Sequence, residues 1–183
     1  MNATFKMGWY VVYTKPRHEK KVLKDLDWMK VQNFLPTVKT LKIYAGKKRY
    51  VTLPLFPSYI FVKLEGMQQY FEILNIPGTL YFLKAGNLVA LVRENIIQKI
   101  QYLAGLGSQD IEVSFEYFSP GTLINIHTGP LTGTCGEVVR HKGKNKLLVR
   151  IELLRRSLLV DLPSYCLEPI VATTISSNIS QIC

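Results

Sequence analysis

Several patterns are missing from this chain, and each absence excludes a class of protein. Cysteine is scarce: Cys135, Cys166 and Cys183 make an odd count with no C-x-x-C pair. That excludes a disulfide framework and a zinc knuckle, and it suits a reducing cytoplasm. No run approaches the roughly 18 uninterrupted apolar residues of a membrane helix, so no membrane partner is expected. Met1 to Met7 lack an apolar core, so no secretory signal is expected. Histidine is limited to His18, His127 and His141, and no H-E-x-x-H, G-x-S-x-G or phosphate-loop run accompanies them. With Glu19 and Asp161 these are the best candidates for catalysis, but they fall in separate elements. No enzyme, metal or cofactor is expected.

Acidic charge is the other scarcity, and it is uneven. The formal net charge is +10. Residues 1–64 hold 13 Lys and Arg against 3 Asp and Glu, residues 65–116 hold 3 against 6, and residues 117–183 hold 7 against 4. Positive charge concentrated in the first third points to a polyanionic partner rather than to a uniform solubilising coat.

What is present is organised in two regions. Trp9 to Thr14 is aromatic and β-branched and reads as a strand closed by Pro16. From Arg17 to about Gln32, Val22, Leu23, Leu26 and Met29 form one helical stripe, ended by Asn33-Phe34-Leu35-Pro36. Residues 37–43 and 48–53 predict a hairpin, turning at 44–47, that carries Lys39, Lys42, Lys47, Lys48 and Arg49. Such a basic hairpin is either a charge-protected edge or a surface for a nucleic-acid backbone. In Pro54-Leu55-Phe56-Pro57-Ser58-Tyr59-Ile60-Phe61-Val62 the prolines precede a strand with Tyr59 and Phe61 on one face and Ile60 and Val62 on the other. A short helix over 67–74, a Pro77-Gly78 turn, a strand over 79–83 and a helix over 93–106 complete the first region. The expected fold class there is α+β, a mixed sheet with flanking helices.

Gly105 to Glu116 is polar and glycine-punctuated, and residues 107–116 are expected to be a linker. Beyond it no helical period persists. Strands are predicted at 121–127, 135–141, 146–152, 155–161 and about 165–168, which suits a small closed all-β barrel. Arg140, Lys142, Lys144 and Lys146 form a further basic run, either solvated or in contact with RNA or protein. Residues 171–183, low in charge, are expected to be an unstructured tail.

Three segments, taken in order, resemble the NusG family of transcription elongation and antitermination factors. They are Trp9-Tyr10-Val11-Val12-Tyr13-Thr14-Lys15-Pro16-Arg17-His18-Glu19, the Pro54–Val62 run, and Gly129-Pro130-Leu131-Thr132-Gly133-Thr134-Cys135-Gly136-Glu137-Val138. The resemblance spans residues 8 to 170. It implies a NusG N-terminal domain over 8–106 and an SH3-like KOW barrel over 117–170, with Gly129, Pro130, Leu131, Gly133 and Gly136 as the KOW turn. It also implies docking on the clamp helices of the largest RNA polymerase subunit, with Tyr13, Phe56, Tyr59 and Phe61 at the family's aromatic docking positions. Lys15 and Arg17 match basic positions near upstream nucleic acid. Lys47, Lys48 and Arg49 join them as expected contacts to single-stranded DNA or other upstream nucleic acid. The KOW region implies a small-subunit ribosomal protein or Rho as a second partner, and the protein is expected to be a monomer. Tyr13-Thr14-Lys15-Pro16-Arg17-His18-Glu19-Lys20 and Pro54-Leu55-Phe56-Pro57 resemble specialised paralogues of the UpxY and RfaH type, the former serving polysaccharide operons. The His, Thr and Arg with which RfaH-type paralogues read a pause element have no counterpart in Gln68-Gln69-Tyr70 or Asn75-Ile76-Pro77-Gly78. A KOW-containing, ribosome-associated RNA-binding protein is the alternative reading.

Overall fold

A computed structural model describes residues 5–44, 46–105, 111–114, 121–126, 135–161 and 167–169. The chain divides into two compact units, Met1–Gln109 and Asp110–Cys183.

In the first unit the order is β1 (Gly8–Thr14), α1 (Glu19–Trp28), β2 (Asn33–Phe34), β3 (Thr37–Tyr44), β4 (Lys47–Pro54), β5 (Tyr59–Leu64), α2 (Met67–Leu74), β6 (Thr79–Phe82), β7 (Lys84–Ala85), β8 (Leu88–Val89) and α3 (Glu94–Gly105). Four strands form one sheet in the order β2-β5-β1-β6. These pairings are antiparallel, and an isolated bridge between Pro77 and Thr79 is parallel. The hairpin β3-β4 forms a two-stranded sheet of its own, as does β7-β8. The α+β class holds.

Helix α1 forms because Val22 and Leu26, one turn apart, reach the same core, with Leu23 and Met29 packed at its margin. It stops at Trp28, earlier than the sequence pattern predicts. Lys30 takes a left-handed φ of 56°. The Val31 N–H then reaches back to the Leu26 carbonyl and the Lys30 N–H to that of Asp27, both at 3.0 Å. That paired return is a Schellman cap. Val31 and Leu26 share the core cluster, which adds the apolar contact typical of this motif. The chain is thereby turned so that Asn33 and Phe34 pair with Val62 and Phe61.

The sheet is buried on both faces. One face brings Tyr10, Val12, Ile60, Val62, Leu64 and Phe82 against Val22 and Leu26 of α1 and Ile73 of α2. The other carries Trp9, Val11 and Phe61, all buried, and α3 packs beside β1 with Ile97, Ile100 and Leu103 turned inward. Lys63, on this second face, lies 4.0 Å from Glu94 at the start of α3 and 6.0 Å from the Trp9 ring centroid.

The second unit comprises β9 (Ile111–Ser114), β10 (Thr122–Ile126), β11 (Cys135–His141), β12 (Lys144–Ile151), a 3-10 turn (Glu152–Leu154), β13 (Arg156–Asp161) and β14 (Leu167–Pro169). They form one antiparallel sheet in the order β14-β10-β11-β12-β13-β9. The β-rich expectation for this region therefore holds. The expected linker needs correction: Ile111 to Ser114 pair with Val160 to Ser157, so part of 107–116 is an edge strand. Its alternation is too short to stand out, and its partner lies more than forty residues away. β11 turns into β12 through Lys142 and Gly143, with φ of 49° and 78°, the two positive values of a tight hairpin turn. Val139, Leu148 and Leu159, on three adjacent strands, form a core cluster. Gly121 shows a true close approach: a Cβ there would run into the Val138 carbonyl oxygen.

Candidate functional site

Three adjacent strands of the first sheet carry a tyrosine side by side near one end. Tyr13 is the register partner of both Tyr59 on β5 and Tyr81 on β6. Its ring lies 5.1 Å from that of Tyr59 and stacks on that of Tyr81 at 5.0 Å and 24°. Tyr13 and Tyr59 are half-buried, whereas Tyr81 is 51% exposed. The cluster is thus an aromatic surface that carries three hydroxyls at the end of a rigid sheet.

Two of the four aromatic docking residues expected from the resemblance are elsewhere. Phe61 is 0% exposed and Phe56 1%. Their rings lie 6.4 Å apart edge-on, and the Phe34 ring stands 6.0 Å from that of Phe61. Both are core residues, which corrects the expectation that they stand at docking positions. The same face of β5 is covered at Phe61 and only half-buried at Tyr59. Tyr81 takes its place in the cluster, and sequence reading missed it. The alternation of Tyr81 with Phe82 along β6 was the available signal.

The loop after β1 is pinned to this end of the sheet by the backbone. The Thr14 N–H donates to the Ser58 carbonyl and the Lys15 N–H to that of Gly78, each at 2.8 Å. Ser58 is buried with a left-handed φ of 68°, and its own N–H donates to Oε1 of Glu19 at 2.8 Å. Glu19, 6% exposed, sits in the first turn of α1. The carboxylate therefore ties the helix start to the turn that launches Tyr59. Gly78, with φ of 108°, has His18 Cβ only 3.1 Å from where its own Cβ would stand, so a side chain there would be strained twice over.

This clamp gives a prediction. Glu19→Ala leaves the buried Ser58 N–H without its acceptor and should cost about 1–3 kcal/mol in a urea or thermal melt. Glu19→Gln keeps an acceptor oxygen and should recover most of that loss. Equal losses for both variants would show that charge, rather than the hydrogen bond, holds the turn.

The expected nucleic-acid residues fall into two groups on different elements. Lys15 and Arg17 project from the clamped loop and are exposed, Arg17 with a left-handed φ of 65°. Lys47, Lys48 and Arg49 are exposed on β4. Opposed residues of an antiparallel pair share a face. The pairs Lys42–Arg49 and Tyr44–Lys47 therefore lie on one face, and Ile43–Lys48 on the other. The contiguous Lys47-Lys48-Arg49 run does not make one patch. Lys42 joins Lys47 and Arg49 instead.

Of the KOW-turn residues, Gly129, Pro130, Leu131 and Gly133 lie outside the described residues. Gly136 is on β11 opposite Ile124. In the second basic run Arg140 and Lys142 are exposed and Lys146 is buried. His18 and His141 belong to different units, and His127 lies outside the described residues. Among the described residues no cluster of His, Cys, Asp or Glu could hold a metal ion. Among the described residues no helix is long and apolar enough to cross a membrane.

Comparison with known proteins agrees with this architecture. The family described as transcription termination factor nusG matches residues 7–101. NusG of Lactococcus lactis, a transcription termination/antitermination protein, is 26% identical over 181 residues, covering 93% of this chain and 97% of its own. The NusG of Thermus thermophilus is 26% identical over 164 residues, covering 78% and 89% respectively. The solved structure of Thermotoga maritima NusG shares the fold with a TM-score of 0.51 at 24% identity, covering 90% of this chain and 98% of its own. The α+β unit and the antiparallel sheet that follows it are those of a transcription termination/antitermination factor, and the chain belongs to the NusG family.

Proposed function

We propose that this chain is a non-enzymatic elongation and antitermination factor that docks on the clamp helices of RNA polymerase through Tyr13, Tyr59 and Tyr81. The observation that carries this reading is the half-open tyrosine cluster near one end of a sheet whose two central strands are largely buried, in a member of the NusG family. Large rings with polar tips are the residues most often found at the energetic centre of protein interfaces. Lys15 and Arg17, pinned beside that cluster, then face upstream nucleic acid, with the β3-β4 hairpin as a second contact. The polymerase is held in its closed, unpaused state because the factor binds that state more tightly than the open one. The Tyr13–Lys20 segment supports a specialised paralogue of the UpxY/RfaH type acting on a long polysaccharide operon. In this reading the second unit is a KOW barrel that contacts a ribosomal protein or Rho.

The test is binding followed by function. The full chain should retain core RNA polymerase in a pulldown and shorten pauses in single-round transcription. Capture of ribosomal RNA without polymerase would instead support a ribosome-associated protein.

A further inference from the structure

The hairpin β3-β4 stands apart from the main sheet, and its two faces differ in chemistry. One face carries Lys42, Tyr44, Lys47 and Arg49; the other carries Lys39, Leu41, Ile43, Lys48 and Tyr50. Tyr44 is 53% exposed, although it is flanked by cations rather than by apolar neighbours. No Asp or Glu occurs between Trp28 and Leu64, so nothing within this segment neutralises the basic face. An exposed ring among uncompensated cations is the combination that holds single strands: the cations take phosphates and the ring takes the flat face of a base. In a duplex the base faces are stacked against one another, and such a ring has nothing to receive.

We propose that the Lys42/Tyr44/Lys47/Arg49 face of the hairpin binds single-stranded nucleic acid, with Tyr44 as the stacking residue and Lys48 turned away from the strand. This deepens the nucleic-acid part of the function proposed above and rests on it. It assigns a role to Tyr44 and Lys42 and removes Lys48 from the contact set.

The experiment is fluorescence anisotropy with the full chain, using a labelled oligothymidylate and a labelled duplex of equal length across a salt titration. Tyr44→Ala should weaken binding to the single strand about tenfold and leave duplex binding nearly unchanged. Tyr44→Phe, which keeps the ring, should bind as the parent does. Lys47→Gln and Arg49→Gln should each lower the salt slope on the single strand by roughly 0.7, and Lys48→Gln by less. An unchanged single-strand affinity for Tyr44→Ala, or an equal effect of Lys48→Gln and Lys47→Gln, overturns the face assignment. A parent protein with no salt-dependent binding to either probe overturns the nucleic-acid reading itself.

Discussion

Phe61→Ala should unfold this protein more readily than it uncouples it from any partner. The ring is 0% exposed, and Phe34 and Phe56 lie 6.0 Å and 6.4 Å from it. Its backbone pairs with β1 on one side and β2 on the other, so the surroundings have little freedom to collapse into the space left behind. Truncation of a fully enclosed phenylalanine costs about 3–5 kcal/mol through lost transfer energy and the residual cavity. For a unit of this size that lowers the melting temperature by at least about 10 °C. Denaturant melts of parent and variant give the comparison. If Phe61→Ala melts as the parent does yet loses polymerase, Phe61 is a surface anchor and its core assignment is wrong.

Tyr59→Ala and Tyr81→Ala should show the opposite pattern. Tyr81 is 51% exposed and Tyr59 half-buried, so each truncation removes much less enclosed surface than loss of Phe61 does. If the cluster is the centre of the polymerase contact, each change should weaken that contact by about 1–3 kcal/mol, or roughly 5- to 150-fold in affinity. The Tyr13 ring touches both neighbours, so its substitution should not add independently to either of theirs. Titration of labelled polymerase with each variant, at a temperature where all are folded, measures the effect. Parent-like affinity for both single variants would remove the tyrosine cluster from the interface.

The contrast between Phe61 and Tyr59 also shows where sequence reading stops. The alternation in β5 was legible and put the two rings on one face, but it could not say how much of that face is covered. That depends on Phe56, close by in the chain, and also on Phe34 and the packing of α3, which are distant in sequence. The α1 stripe, the β3-β4 hairpin and α2 were legible because their periodicity is local. The end of α1 was not, since a lysine supplies the left-handed residue where glycine would have signalled it. Strand β9 was hidden in a polar stretch because its partner, β13, lies far along the chain. The Lys47-Lys48-Arg49 run looked like one patch in sequence, and the two-residue period of the strand divided it.

Strand β5 is enclosed on both faces at Ile60, Phe61 and Val62 and paired along both edges. Amides in such a position exchange with solvent only when the whole unit opens. Tyr59 is the first residue of that strand; its backbone pairs with Tyr13 on β1, and its N–H donates to the Phe56 carbonyl at 3.2 Å. A surface built there is ordered before any partner arrives, so association does not have to freeze the chain that carries it.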